Sequence, residues 1–157
     1  GEAVTGGIPE SQSRASGGIP ERNGSMDVEV SFPSSTRIQA RSKDLLVEIG
    51  PPPDRGGDPE AYGPFDLLLC SLATCTGFQI LSFLQERGMP IADGGLRIRA
   101  VRGEDSHLLE RVSMEIRVPE DFPEKYRDAI IRATDLCFIK KQLGHHPEFE
   151  MSVVSGT

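Results

Sequence analysis

A chain of 157 residues is long enough for one domain with a sizeable core, and 37% hydrophobic with 26% charged residues is the composition of a soluble globular protein. A net charge of −7, with no basic stretch longer than Lys140-Lys141, argues against nucleic-acid or anionic-membrane partners and leaves small molecules and proteins. Three cysteines, an odd count, argue against a secreted disulfide framework. With no basic leader followed by an apolar run, reduced thiols and a cytoplasmic location are the expectation.

Residues 1–25 are rich in Gly, Ser, Pro and Glu and hold little to bury. Gly-Gly-Ile-Pro-Glu occurs twice, at 6–10 and 17–21, and Gly24-Ser25-Met26 reads as a cloning scar before the natural start. Residues 1–25 are therefore expected to be a tag or flexible tail, and 26–157 the folded domain. From Met26 the pattern alternates, with Val28 and Val30 against Asp27, Glu29 and Ser31, the period of a half-buried strand. A turn at Pro33-Ser34-Ser35, a second strand at 36–40, a hairpin turn at 41–44 and a third strand at 45–49 make an antiparallel meander. Residues 51–59, with four prolines and two glycines, cannot continue a sheet and read as a surface loop.

Pro64 suits the first position of a helix, and Asp66 places a negative charge in its first turn. No formal charge follows between Leu67 and Gln85. At about 100° per residue its apolar side chains spread round most of the circumference, which predicts a helix buried on several sides. Ser71, Thr74, Thr76, Gln79 and Ser82 interrupt the run too often for hydrocarbon. Gly88 and Pro90 close the helix. Strands at 96–102 and 109–118 follow, with Arg97 and Arg99 on a solvated face. A second helix opens at Pro123 and ends between Cys137 and Gly144. A last strand at 148–154 turns Phe149, Met151 and Val153 to one side. The order strands, helix, strands, helix, strand is α+β.

Cys75 sits in the small, hydroxylic part of the central helix, within Ala73-Thr74-Cys75-Thr76-Gly77. A free cysteine is most often a small buried hydrophobe, and that reading holds for Cys75 and Cys137 alike. Cys70 lies about 140° round the helix from Cys75, so those two cannot readily bridge. His145-His146 admits a Cys-His nucleophile, but histidines between Gly144 and Pro147 fit a solvated turn better. No Cys or His spacing supports a closed metal site.

Gly63-Pro64-x-Asp66-Leu67-Leu68-Leu69-x-x-Leu72-x-x-Cys75-Thr76, followed about sixty residues later by Cys137, resembles the OsmC/Ohr family of thiol-dependent hydroperoxide reductases over residues 26–154. Thr76 after the cysteine is similar to the OsmC-like branch. The resemblance implies an OsmC-like fold: antiparallel sheets, a long buried central helix and a second helix, intertwined as a homodimer with the cysteines near the interface. It also implies that Cys75 is the peroxidatic thiolate and Cys137 the resolving thiol. The activity implied is reduction of organic hydroperoxides, and secondarily of hydrogen peroxide, in a stress response. An external dithiol or lipoyl-type reductant would close the cycle, without metal or nucleotide cofactor. The family's activating arginine maps to Arg37, with Arg41 as the alternative. Phe65 stands where the peroxidase branch carries Glu, which leaves Asp66 or Glu60 for that role. A non-catalytic module binding an apolar ligand at the dimer interface is the alternative function.

Overall fold

Alternation and tight turns shape the N-terminal part of the chain, which a computed structural model describes over residues 26–156. The segment 1–25, with its repeated motif, lies outside the described residues. Strands β1 (Glu29–Ser34), β2 (Arg37–Ser42) and β3 (Leu45–Ile49) form an antiparallel sheet in that order. The meander is as expected, with two local differences. Pro33 lies inside β1, which is tolerated because β1 is an edge strand, and the pairing with β2 shifts register between Ser31 and Ser34. The second hairpin is tighter than the expected 41–44 turn: Ser42 pairs directly with Leu45, and Lys43 takes a positive φ of 53°. Tyr62 ties the following loop back to β3, its hydroxyl donating to the Glu48 carbonyl at 3.0 Å.

Helix α1 (Pro64–Glu86) begins and ends where its punctuation predicts. Pro64 takes the first position, and the Asp66 carboxylate accepts the Gly63 amide at 2.8 Å. At the other end Gly88, at φ 61°, donates to Gln85 and Met89 donates to Leu84, a paired closure that satisfies carbonyls of the last turn. Asp66→Ala is expected to lower the unfolding free energy by about 1 kcal/mol in urea titration, because a helix-terminal amide loses its acceptor.

The expectation that α1 is buried on several sides is corrected. Within the chain it buries one stripe, Leu72, Thr76, Ile80, Phe83 and Leu84, while Leu67, Leu68 and Phe78 are exposed. Among the described residues, the partners of α1 cover one face: strand β4 (Gly95–Arg102) and the short C-terminal helices. By length and composition α1 could also cross a bilayer, but its packing makes it the core helix of this domain. Strand β4 pairs antiparallel with β5 (Leu109–Arg117), setting Leu96 opposite Ile116 and Ile98 opposite Met114 on the face toward the core, with Arg97 and Arg99 exposed. The core joins Ile80, Phe83 and Leu84 of α1 to Phe122 and Ile130.

The second helix is not continuous. A 3-10 turn at Glu124–Tyr126 leads into α2 (Arg127–Ala133), a second 3-10 turn spans Thr134–Leu136, and α3 (Phe138–Leu143) follows. Between the last two, Cys137 is extended, at φ −60° and ψ 114°. Cys137 thus begins a helix rather than ending one, and Leu136 points outward. The strand expected at 148–154 is absent too. Residues 147–156 fall in a separate unit from 28–146 and have no regular secondary structure, with Phe149, Met151 and Val153 exposed. Alternation alone makes no strand, because the backbone donors and acceptors of a strand need a neighbouring one.

Candidate active site

Cys75 and Cys137 come from different elements and meet. Cys75 lies on α1 at the margin of its buried stripe and is half-buried, whereas Cys137, at the break before α3, is completely buried. The break gives the second sulfur its surroundings. Because the Cys137 backbone is extended, its side chain folds over the first turn of α3, and Sγ accepts the Lys140 amide at 3.4 Å. Burial pushes the Cys137 thiol up. The Thr76 hydroxyl, the Lys140 amide, the Cys75 side chain and the Ile139 amide outweigh it and hold the thiol below the usual range. No charged side chain is among the groups that set this shift, and Lys140 and Asp135 of the same segment are paired with each other at 2.7 Å.

Thr76 fills a buried position of α1, yet its hydroxyl makes no completed hydrogen bond. It also lines a cavity of about 240 Å³ between α1, β5 and α2, walled by Met114, Ile116, Val118, Phe122 and Ile130. Arg127 contributes to the same wall and is held by Glu124 at 2.6 Å. Neither sulfur is part of the cavity lining.

The other expected site residues lie apart from this pair. Arg37 is on β2 and binds Glu48 of β3 at 2.5 Å, and Arg41 is exposed on the same strand. Asp66 caps α1 through the Gly63 amide. Glu60 is exposed in the preceding loop, its amide bound to Asp58. Phe65 lies beneath Arg102, whose guanidinium carbon is 4.9 Å from the ring centroid. Cys70 is exposed and remote from the pair's buried face. His145 and His146 are exposed, and neither side chain makes a hydrogen bond or ion pair among the described residues. No three His, Cys, Asp or Glu side chains converge as a metal-binding group among the described residues. Thr76 is the site residue whose role sequence reasoning missed. Counting in fours along α1 from Leu72 through Thr76 to Ile80 and Leu84 places a hydroxyl in an otherwise apolar stripe, and that was the available signal.

A protein-family model described as OsmC-like protein matches residues 57–152. Among solved structures, a proposed osmotic stress induced and detoxification response protein from Psychrobacter arcticus 273-4 superposes with a TM-score of 0.63 at 23% identity, over 80% of this chain and 92% of its own. An OsmC-like protein from Mycoplasma pneumoniae gives a TM-score of 0.59 at 13% identity, over 76% and 87%. A hypothetical protein from Aquifex aeolicus VF5 gives 0.55 at 17% identity over the same shares. No curated protein matches the chain. At these identities the structures establish the fold.

Proposed function

The chain belongs to the OsmC-like family, some members of which are peroxidases, and from that premise we propose that it reduces organic hydroperoxides by a two-cysteine cycle. One observation carries this reading: two cysteines about sixty residues apart in sequence are brought within reach of each other, one half-exposed and one buried with an acidified thiol. Exposure and acidity divide the work. A hydroperoxide reaches Cys75 first, whose thiolate attacks the O–O bond; the Cys75–oxygen bond forms, the O–O bond breaks, and the alkoxide leaves as an alcohol after taking a proton. The Cys137 thiolate then attacks the Cys75 sulfenic sulfur, expelling hydroxide, which is protonated to water. A lowered thiol pKa at Cys137 eases its conversion to the thiolate for this second attack without exposing it to peroxide. An external dithiol, of lipoyl type, returns the disulfide to two thiols.

Arg37 and a carboxylate from Asp66 or Glu60 remain the proposed activators of Cys75. Within one chain their contacts are with Glu48, Gly63 and Asp58, so the role requires a second copy to bring them to the cysteines. The exposed apolar residues of α1, Phe78 above all, and of β1 support a homodimer. Addition of one equivalent of cumene hydroperoxide is expected to give an intrachain Cys75–Cys137 disulfide, identified by peptide mass spectrometry. Free thiols alongside persisting peroxide would sink the proposal. The cavity favours one competing reading, a module that binds an apolar ligand without chemistry. A co-purified ligand bound equally well by Cys75→Ser and Cys137→Ser variants would establish that instead.

A further inference from the structure

We propose that Thr76 is the positioning residue of Cys137: its buried hydroxyl donates to Cys137 Sγ when that sulfur is negatively charged. Cys137 is thereby the sulfur expelled when an external thiol opens the disulfide, and Cys75 the sulfur attacked. The inference rests on the two-cysteine reading and adds to it a direction for the reductive step.

The argument begins with how helical threonines satisfy themselves. A threonine inside a helix ordinarily returns its hydroxyl proton to a carbonyl three or four residues back. Two others in this protein do so. Thr74 donates to Cys70 at 2.9 Å and to Ser71 at 3.1 Å, and Thr134 donates to Ile131 at 2.6 Å. Thr76, wholly inaccessible, makes no such bond. A buried hydroxyl left unpaired costs free energy, so its orientation must serve another group. Cys137 is that group: the Thr76 hydroxyl is among the side chains acting on it, together with the Lys140 amide at 3.4 Å. A neutral thiol is a poor acceptor, which is why the bond is incomplete in the resting state; a thiolate is a strong one and completes it. The ionisable group facing Cys137 from α1 is Cys75, and on its own segment Asp135 and Lys140 neutralise each other. Dipolar donors are therefore what distinguishes Cys137 from its partner.

The direction of reduction follows. An external thiolate can approach only the half-exposed sulfur, Cys75, because Cys137 is sealed. Its sulfur bonds to Cys75 Sγ as the Cys75–Cys137 bond breaks, and the electron pair passes to Cys137 Sγ, where Thr76 and the Lys140 amide receive it. The second thiol of the reductant then displaces Cys75, yielding an oxidised reductant and a Cys75 thiol that takes up one proton. Exchange is faster when the leaving sulfur is the more acidic one, so accessibility and acidity select the same direction.

Two measurements test this, and neither requires peroxide. In a Cys70→Ser, Cys75→Ser background, the remaining thiol is titrated by ultraviolet thiolate absorbance. Thr76→Val is expected to titrate about one pH unit higher than Thr76, and Thr76→Ser to restore the original value. An unchanged titration in Thr76→Val overturns the proposal and assigns the hydroxyl to the cavity instead. In the otherwise unaltered chain, with the disulfide formed by diamide, a monothiol is expected to be trapped on Cys75, as read by peptide mass spectrometry. Trapping on Cys137 overturns the proposed direction. Because the disulfide is made chemically, failure here is separable from failure of the peroxidase reading.

Discussion

Cys75→Ser is expected to abolish catalytic hydroperoxide consumption, lowering turnover with a dithiol by about 10³-fold or more, whereas Cys137→Ser completes one stoichiometric reaction and stalls. The contrast comes from burial. Cys75 is the sulfur a peroxide can reach, so its loss removes the nucleophile; Cys137 is sealed, so its loss leaves the first step intact and removes only the second. Serine is the informative replacement at Cys137 because its hydroxyl can still accept the Lys140 amide and keep α3 capped. A ferrous-xylenol orange assay follows the peroxide, and dimedone labels the stalled sulfenic acid. A burst from Cys75→Ser, or dimedone on residue 137 in Cys75→Ser, would reverse the roles assigned to the two sulfurs.

Phe83→Ala is expected to lower stability by about 3–5 kcal/mol, seen as an earlier urea midpoint with the slope preserved. Phe83 is 5% exposed, its ring lies 6.5 Å from that of Phe122 and 6.1 Å, edge-on, from that of Tyr126, and the Arg87 guanidinium stacks 3.6 Å from its centroid. Truncation would open a cavity among all three neighbours and remove the nearer of the two rings that face Arg87. Single domains are stable by only about 5–15 kcal/mol, so a loss of this size takes a large share of the whole. The damage reaches the chemistry as well. Phe122 and Tyr126 lead into α2, and α2 leads to Cys137; a loosened cluster is therefore expected to slow disulfide closure in the population that remains folded.

Local punctuation was legible wherever the chain encodes its own ends. Pro64, Asp66 and Gly88 mark α1 through missing or satisfied terminal amides and carbonyls, and these effects act within a turn. The alternation from Leu96 to Val118 marked β4 and β5 because both strands find their partner in the adjacent hairpin. Features decided by distant groups were not legible. Nothing between Ile130 and Ile139 is a glycine or proline, and helical spacing runs through Leu136 and Cys137, so the break before α3 comes from packing rather than propensity. The same holds for 148–154, whose alternation finds no pairing strand among the described residues, and for α1, whose apolar girth exceeds what the described residues cover. In the site, the two sulfurs were named by the family resemblance alone. Thr76 was not, because a hydroxyl's partner depends on which side chain arrives opposite it.

The break before α3 has a consequence for how the protein stands up to heat and proteolysis as its cycle proceeds. With Cys137 fixed to α3 and Cys75 to α1, a bond between them would staple the first core helix to the last and close a loop of about sixty residues, a constraint that removes about 4 kcal/mol of unfolded-chain freedom. The molecule waiting for reductant would therefore be the tougher one, and the rested molecule the more fragile. Endurance would then rise under oxidant load.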